Sequence, residues 1–330
     1  MIRMKDVAER CGVSETTVSH VLNRTRFVSP ETRRKVLDTV RELGFYTNAH
    51  ARRLARGSSD FLGLVISDIE NPFFPEVIKS FENAALKRGF EVLLCATNYQ
   101  PERTRAAMRK LIQNKVAGVA ILTSQMEPEE AADLATNHIP TVFLNSASVG
   151  TYRSNIAIDH ATGAQEAVRY LHGLGHRRFA FVQGPGNRPS ARMARKALTN
   201  ALAKFGLECE LLTGENTLES GASAVRELIE GGRLPTALLC DNDLCALGAM
   251  AALKEAGVAV PGRISVVGAD DIAFAQLVSP PLTTIRIPRD EIGAQAFASL
   301  AKMLRSKQCA GTSYRVGTSL VIRQSTGPAA

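Results

Sequence analysis

Hydrophobic residues near the start of the chain recur at the spacing of short helices separated by turns. In residues 4–11 the apolar side chains fall on one helical face, and Cys11-Gly12-Val13 then predicts a turn. Ser14 can cap a second helix over residues 14–23, because its hydroxyl can accept a hydrogen bond from the backbone of the first turn. The pattern therefore predicts a helix, a tight turn and a second helix.

A third helix is predicted to begin at Ser29-Pro30-Glu31 and to end at Gly44. It opens with a capping residue, a proline at the first helical position and an acid in the first turn, and glycine favours the left-handed end of a helix. Its apolar positions recur at helical spacing: Val36, Leu37, Val40 and Leu43. Because three such helices can bury one small core, residues 1–47 are predicted to form a small all-α helix-turn-helix domain.

A short basic stretch separates this domain from the rest of the chain. Asn48 can cap a helix over residues 49–56, and Gly57-Ser58-Ser59 favours its end. We assign residues 48–60 to this helix and a linker, and residues 61–330 to a second domain.

From residue 61 onward, short apolar strands alternate with amphipathic helices such as 75–87 and 243–255, a pattern typical of parallel α/β sheets. The predicted strands are 62–66, 91–95, 118–122, 141–144, 179–182, 237–240 and 265–267. The segment is long for one sheet, so we predict two doubly wound lobes with a ligand cleft between them. The N-lobe is placed at about 61–160 plus a later segment, and the C-lobe at about 163–285. Residues 325–330 are predicted to be a frayed tail.

Positive charge is concentrated at the front of the chain. The net charge is +8, and residues 1–60 contribute +5 of it, from 12 Lys/Arg against 7 Asp/Glu. A basic N-terminal segment suits a polyanionic partner, because phosphate neutralisation with counterion release supplies most non-specific DNA affinity. The overall composition, 45% hydrophobic and 22% charged, is that of an ordinary globular protein.

The cysteines and the hydropathy pattern favour a cytoplasmic protein. The six cysteines are scattered through apolar runs without Cys-x-x-Cys spacing, and we interpret them as reduced core thiols. No apolar run approaches the ~20 residues that a membrane span requires, and no signal peptide opens the chain. We therefore expect no membrane partner.

Motifs for catalysis are missing from the sequence. Gly184-Pro185-Gly186 is not a phosphate-cradling fingerprint, no Walker loop or Gly-x-Ser-x-Gly elbow occurs, and the six histidines do not pair at metal-ligand spacing. We expect no enzyme, no cofactor and no metal site. A secreted solute-binding protein would share a two-lobed core, but it should carry a signal peptide in place of a basic helix-turn-helix.

The second predicted helix has the properties of a DNA-recognition helix. In a helix-turn-helix this helix enters the major groove, where short polar side chains near its start can reach base edges. Thr16, Thr17 and His20 are the candidates, while an apolar face of Val18, Val21 and Leu22 can pack on the other helices. A small helical dimerisation or protein-binding module is the alternative interpretation.

The N-terminal motifs resemble the head-piece of the lactose/galactose repressor family, and most of all its purine repressor branch. The resemblance lies in Met4-Lys5-Asp6-Val7-Ala8, the run from Val13 to Asn23, and Thr25-Arg26-Phe27-Val28; Ala51-Arg52-Arg53-Leu54-Ala55 is similar to the family's hinge helix. It implies that Leu54 wedges into the minor groove of a palindromic operator, although packing against a dimer mate is an alternative role. The side chains expected on the DNA backbone are Ser19, Asn23, Arg24, Arg26, Arg52, Arg53 and Arg56.

The resemblance extends through the rest of the chain and implies a periplasmic-binding-protein-like core with a small-molecule effector in its cleft. It is carried by the runs 63–74, 174–177, 267–271 and 282–284, and by Asn242-Asp243. Polar groups that follow strands can converge on the hydroxyls of a ligand. The expected effector-binding residues are Asp68, Phe73, Phe74, Asp159, Arg188, Ser190, Asn242 and Asp270. Arg188 could instead be a solvated loop residue, and we interpret Asp243 and Asp271 as helix caps.

Two departures from the family pattern bear on the effector. Ala194 stands where sugar- and purine-binding relatives carry an arginine, and Asn216 stands where they place an aromatic platform. Glu15 also replaces a neutral residue of the purine repressor pattern, which leaves the operator open. We expect a sugar, a sugar acid or a related metabolite as the effector.

Two operator half-sites need two head-pieces, so we expect a homodimeric repressor on double-stranded DNA.

Overall fold

The computed structural model describes residues 2–23, 25–45, 59–123, 128–145 and 149–330. The chain divides into two compact units, Met1–Ser59 and Asp60–Ala330. The hinge helix expected at residues 49–56 lies outside the described residues. No helix among the described residues is long and apolar enough to cross a membrane.

The first unit contains the three helices that the sequence predicts. They are α1 (Met4–Cys11), α2 (Glu15–Asn23) and α3 (Pro30–Leu43). Gly12 ends α1 and Gly44 ends α3, both in the left-handed conformation, with φ of 64° and 60°. The Ser14 hydroxyl accepts from the Thr17 N–H at 3.1 Å, and the Ser29 hydroxyl accepts from the Thr32 N–H at 3.3 Å. The apolar faces of the helices form one buried core: Val7, Ala8, Cys11, Val18, Val21 and Val36.

The N-lobe of the second unit is a six-stranded, fully parallel sheet with helices on both faces. Its strands are β1 (Phe61–Ile66), β2 (Glu91–Ala96), β3 (Gly118–Leu122), β4 (Thr141–Leu144), β5 (Arg153–Ile158) and β11 (Ser313–Val316), in the order β11-β5-β4-β3-β1-β2. Its helices are α4 (Phe73–Leu86), α5 (Pro101–Gln113), α6 (Pro128–Thr136) and α11 (Arg289–Arg305). The face under α4 and α11 buries Leu64, Phe81 and Leu300, and the opposite face buries Leu111 and Ile121.

The C-lobe repeats this architecture with one antiparallel edge strand. Its strands are β6 (Phe179–Gln183), β7 (Cys209–Thr213), β8 (Ala237–Cys240), β9 (Ser265–Asp270), β10 (Thr283–Arg286) and β12 (Ser319–Val321), in the order β12-β10-β9-β8-β6-β7. Its helices are α7 (His160–Gly173), α8 (Pro189–Ala203), α9 (Leu218–Glu230) and α10 (Asp243–Glu255), with a 3₁₀ turn at Ala273–Gln276. Only β12 runs antiparallel to its neighbour.

The chain crosses between the two lobes three times within the second unit. It passes from β5 to α7, returns from β10 to α11, and passes again from β11 to β12. The carboxyl ends of β1, β5, β8 and β9 therefore lie near the crossovers, where open α/β sheets place their ligands.

The prediction of a frayed C-terminal tail is wrong. Ser325 is fully buried and Thr326 nearly so. The Ser325 hydroxyl donates to the Val266 carbonyl at 2.6 Å, and the Val266 N–H donates to the Ser325 carbonyl at 2.9 Å. The tail follows β12 along the C-lobe, where its backbone forms hydrogen bonds. Its polar, glycine-containing sequence does not predict these hydrogen bonds.

Candidate functional site

The recognition surface of α2 has polar side chains outside and apolar side chains inside. Thr16 is exposed, whereas Thr17 and His20 are half-buried, and Val18 and Val21 are buried in the core of the unit. His20 shares a hydrogen bond of 2.8 Å between its Nδ1 and the Thr25 hydroxyl, which restrains the ring at the end of the helix. Helix α2 thus presents short polar groups at its start while its opposite face is committed to packing.

The residues expected at the DNA backbone are described only in part. Ser19 and Asn23 are joined by a bond of 3.1 Å from the Asn23 amide to the Ser19 hydroxyl, and Arg26 is exposed beyond the end of α2. The other four residues of this set and the hinge residue Leu54 lie outside the described residues. The four are Arg24, Arg52, Arg53 and Arg56.

A cavity of about 170 Å³ lies between the lobes of the second unit. Its wall combines the starts of helices and the carboxyl ends of strands from both lobes. Six of the residues expected to bind an effector line it: Phe73, Phe74, Arg188, Ser190, Asn242 and Asp270. Asp68 and Asp159 are not among the lining residues.

The N-lobe contributes an aromatic wall at the start of α4. Phe73 and Phe74 pack edge to face, with ring centroids 5.2 Å apart and an interplanar angle of 82°. The Asn71 side chain accepts from the Phe73 N–H at 2.9 Å, which holds the helix start against the cavity. Tyr99, which follows β2, adds a third ring, and its φ of 56° lies in the left-handed region that side chains rarely adopt.

Arg188 reaches into the cavity from the C-lobe and lacks most of its hydrogen-bond partners. Its guanidinium carbon lies 3.6 Å from the centroid of the Tyr99 ring, so the pair joins the two lobes by a cation–π contact. Its Nη2 approaches Glu215 at 3.6 Å, but its buried Nε and Nη1 have no partner. With only 9% of its surface exposed, Arg188 is a cavity residue and the solvated-loop alternative is wrong.

The end of β9 is held in a strained conformation beside the cavity. Asp270 has a φ of 109° and lines the cavity, and burial raises the pKa of its carboxyl well above the usual value. Arg289 of α11 holds this turn by donating to the carbonyls of Asp270 and, at 2.8 Å, Asp271. Arg289 also donates to Glu76 of α4 at 2.8 Å, so the strand end of one lobe is tied to two helices of the other. Strain of this kind is typical of ligand-binding sites.

Asn242 lines the cavity, but its amide group is already used within the protein. Its Oδ1 caps α10 by accepting from the Cys245 N–H at 2.9 Å, and its Nδ2 donates to the Asn216 carbonyl at 3.0 Å. Its neighbour Asp241, which the sequence analysis did not select, faces the cavity together with Asn216. Tyr99 and His160 are further lining residues that it missed.

Asp68 and Asp159 have local partners instead of a place in the cavity. The Asp68 carboxylate accepts from the Glu70 N–H at 2.8 Å. Asp159 caps α7 by accepting from the N–H groups of Ala161 and Thr162, and it pairs with Arg315 at 3.1 Å. Both follow strands, as expected, but their side chains turn to the backbone and to this arginine.

The interpretation of Asp243 and Asp271 as helix caps is wrong. The buried Asp243 carboxylate accepts from the Thr284 hydroxyl at 2.5 Å and from the Ile272 N–H at 2.8 Å, because Asn242 already occupies the cap of α10. Asp271 pairs with Arg286 at 2.7 Å and with Arg323 at 2.5 Å. Both carboxylates therefore join the end of β9 to neighbouring elements of the C-lobe.

Among the described residues, no group of His, Cys, Asp and Glu side chains is arranged to hold a metal ion. His160 is half-buried in the cavity wall, and desolvation lowers its pKa to about 4. It is therefore uncharged at neutral pH.

A helix-turn-helix unit that is followed along the chain by a two-lobed α/β unit with a ligand-sized cavity is typical of the class of ligand-responsive DNA-binding regulators. The profile of bacterial regulatory proteins of the lacI family matches residues 3–48, and that of the periplasmic binding protein-like domain matches residues 168–326. The HTH-type transcriptional repressor PurR of Edwardsiella ictaluri is 36% identical, over 98% of this chain and 97% of its own length. The chain belongs to the LacI family and is a DNA-binding transcription repressor with an effector-binding domain.

Two solved structures show the same architecture. The lac repressor dimer bound to operator and the anti-inducer ONPF has a TM-score of 0.87 at 29% identity, covering 99% of both chains. A LacI-family transcriptional regulator from Enterococcus faecium with bound ribose has a TM-score of 0.74 at 26% identity, covering 82% of this chain and 100% of its own. These relatives are transcription regulators, not enzymes.

Proposed function

We propose that the protein represses transcription as a cytoplasmic homodimer on a palindromic operator, and that a sugar or related metabolite in the lobe cavity controls its affinity for DNA. The observation that supports control by an effector is the buried Arg188, whose Nε and Nη1 have no partner within the described structure. A buried guanidinium without acceptors is costly, and a ligand that supplies them removes that cost.

The proposed DNA contacts follow from the exposed edge of α2. Thr16, Thr17 and His20 read bases, and Ser19, Asn23 and Arg26 contact phosphates. Arg24 and the basic run of Arg52, Arg53 and Arg56 add phosphate contacts, and Leu54 inserts into the minor groove. A dimer follows from the two half-sites of such an operator, as in the lac repressor dimer bound to its operator.

The proposed effector class follows from the chemistry of the cavity. Its unpaired polar groups include donors on Arg188 and an acceptor on Asn216, and hydroxyl groups can satisfy both kinds. Phe73, Phe74 and Tyr99 supply apolar ring faces for the C–H face of such a ligand. The regulator with bound ribose is a family precedent. Asn216 offers no ring on which a purine could stack at its position.

The proposed switch is a change in the distance between the lobes. Arg188 from the C-lobe stacks on Tyr99 from the N-lobe across the cavity, so a ligand that binds Arg188 also acts on the contact that holds the lobes together. A ligand moves the population between two states only by its differential affinity, and complete switching needs ~5 kcal/mol.

The first test is selection of bound sequences from a random DNA pool at near-physiological salt. We expect a palindrome with a central pyrimidine-purine step, the most easily kinked kind of step. Binding of the Thr17→Ala and His20→Ala variants to that operator and to unrelated DNA then separates base readout from phosphate contacts. An unchanged ratio of specific to non-specific affinity in both variants would remove the base-reading role.

A further inference from the structure

The cavity wall contains an aspartate whose carboxyl group is held in place by two hydrogen bonds. Asp241 directly follows β8, where the Gly184 N–H and the Asn216 side-chain amide donate to it, the latter at 3.1 Å. A side chain at Gly184 would overlap the Asp241 Oδ2 and would come within 2.7 Å of the Asn216 Oδ1. Glycine at this position therefore lets the two polar side chains lie together at the cavity wall.

Asn216 is fixed in turn and offers a second acceptor. Its backbone adopts a φ of 62°, and its carbonyl accepts from the Asn242 side chain at 3.0 Å. Its amide Nδ2 is used on Asp241, whereas its Oδ1 is buried without a partner. The Asn216 Oδ1 is thus a buried acceptor that needs a hydrogen-bond donor from outside the protein, and it lies beside the Asp241 carboxyl group.

The described lining of the cavity offers a ligand a single positive charge. Among the described lining residues, Arg188 is the single guanidinium or ammonium group, and Asp241 and Asp270 are both carboxylic acids. His160 adds no positive charge at neutral pH. Burial raises the pKa of the Asp241 carboxyl, and the bonds from Asn216 and Gly184 and the charge of Arg188 offset only part of this effect. A ligand carboxylate, which has acceptors only, would find one cation in Arg188 and would leave the Asn216 Oδ1 without a donor.

We infer that Asp241, held by Asn216, is a specificity-determining residue that selects an uncharged polyhydroxy ligand and rejects the corresponding sugar acid. Hydroxyl groups can donate to Asp241 and Asn216 and accept from Arg188 at the same time, which neither a carboxylate nor an ammonium group can do. The inference deepens the proposed function and rests on it. The cavity volume of about 170 Å³ is below the roughly 300–1,000 Å³ of sites for drug-sized ligands, and this favours a monosaccharide.

The test compares ligands that share a carbon skeleton and differ in charge. The melting temperature of the full-length protein is measured with D-ribose, D-glucose and D-galactose, with D-glucuronate and D-galacturonate as the matched acids, and with D-glucosamine as the amine. We expect at least one neutral sugar to raise the melting temperature, and its acid and amine counterparts to do so less or not at all. The variants are Asp241→Asn and Asn216→Ser, and the control is Asp133→Asn, which changes an exposed aspartate on α6 away from the cavity.

We expect Asp241→Asn to weaken binding of the neutral sugar tenfold or more, because one of the two acceptor oxygens at this position is lost. The variant should also discriminate less between the neutral sugar and its acid. Asn216→Ser should change the preference in the same direction, and Asp133→Asn should bind as the wild type does. An acid that binds the wild type more tightly than its neutral sugar overturns the inference, as does a panel in which no neutral sugar binds.

The ligand-free melting temperature separates specificity from a structural role. Asparagine at position 241 can still accept from the Gly184 N–H and buries no charge, so the ligand-free variant should melt no lower than the wild type. A clearly lower melting temperature would mean that Asp241 supports the fold. If the random-DNA selection recovers an operator motif but no sugar binds, the inference is rejected and the proposed repression at an operator is retained. If the selection recovers no motif, the proposed repression at an operator is itself rejected.

Discussion

Asp243 is the residue whose ionisation should control the pH dependence of the core's stability. Its carboxyl is fully buried and close to Thr284 and to the Ile272 N–H, and burial raises its pKa to about 7, from an ordinary value of 3.8. A pKa that is higher in the folded than in the unfolded chain stabilises the fold at low pH, and this contribution is lost as pH rises toward 7.

The magnitude follows from the two pKa values. The difference corresponds to roughly 4 kcal/mol in total, of which roughly 2.5 kcal/mol falls between pH 5 and pH 8. Asp243→Asn resembles the protonated acid, since its amide can donate to Thr284 and its carbonyl can accept from the Ile272 N–H. We therefore expect the variant to match the wild type only below about pH 4, to be more stable than it by roughly 1.5 kcal/mol at pH 5, and by roughly 4 kcal/mol at pH 8.

The assay is urea unfolding followed by circular dichroism, because the chain has no tryptophan to report by fluorescence. The free energy of unfolding is measured at pH 5 and pH 8 for the wild type, for Asp243→Asn and for the exposed control Asp133→Asn. The quantity of interest is the difference in pH dependence between the two variants, which removes the contributions of groups that do not interact with Asp243. Equal pH dependence in all three proteins would refute the reasoning, as would an Asp243→Asn variant that is less stable than the wild type at pH 8.

Three further substitutions test other contacts. Ser29→Ala removes the cap of α3 and should lower the stability of the helical unit by about 1 kcal/mol, measured from its melting transition, and Ser29→Asp should largely retain it. Arg289→Met leaves Glu76 unpaired and the carbonyls at the end of β9 without their donor, so the free energy of unfolding in urea should fall by about 3 kcal/mol. The control is Arg305→Met, at an exposed position on the same helix, and a larger fall in the control would contradict the bridging role of Arg289. Ser325→Ala leaves the Thr283 N–H and the Val266 carbonyl without this partner and should cost about 1–3 kcal/mol, whereas a neutral result would mean that the tail contributes nothing.

The elements with strong hydrophobic patterns could be predicted from the sequence. The predicted bounds of β3, β4, β8 and α10 agree with the structure, because each is a run of mostly buried residues between clear turn signals. The sequence analysis missed β5, where buried and half-buried residues alternate, and the edge strand β7. It also missed β10, β11 and β12, which have only three or four residues each, and β11 pairs with β5, a strand that is distant in sequence.

The cavity could be predicted only to the level of strand ends. Successive side chains at a strand end point in different directions, so the sequence does not distinguish Asp270, which faces the cavity, from Asp271, which pairs with arginines. Asp68 and Asp159 follow strands in the same way, yet local backbone N–H groups take their carboxylates. Asp241 was missed because its role depends on Asn216, 25 positions away, and on the absence of a side chain at Gly184.

The late return of the chain to the N-lobe has a consequence for biosynthesis. Helix α11 and strand β11 cover Phe81 and Ile156 of the N-lobe, but they are synthesised after almost the whole C-lobe, which itself needs β12 and Ser325. Neither lobe can close its core until residues 289–325 have been synthesised, whereas residues 1–59 form a compact unit of their own. A product that stops before residue 289 would thus join the helical unit to two open cores, and we expect proteases to degrade it.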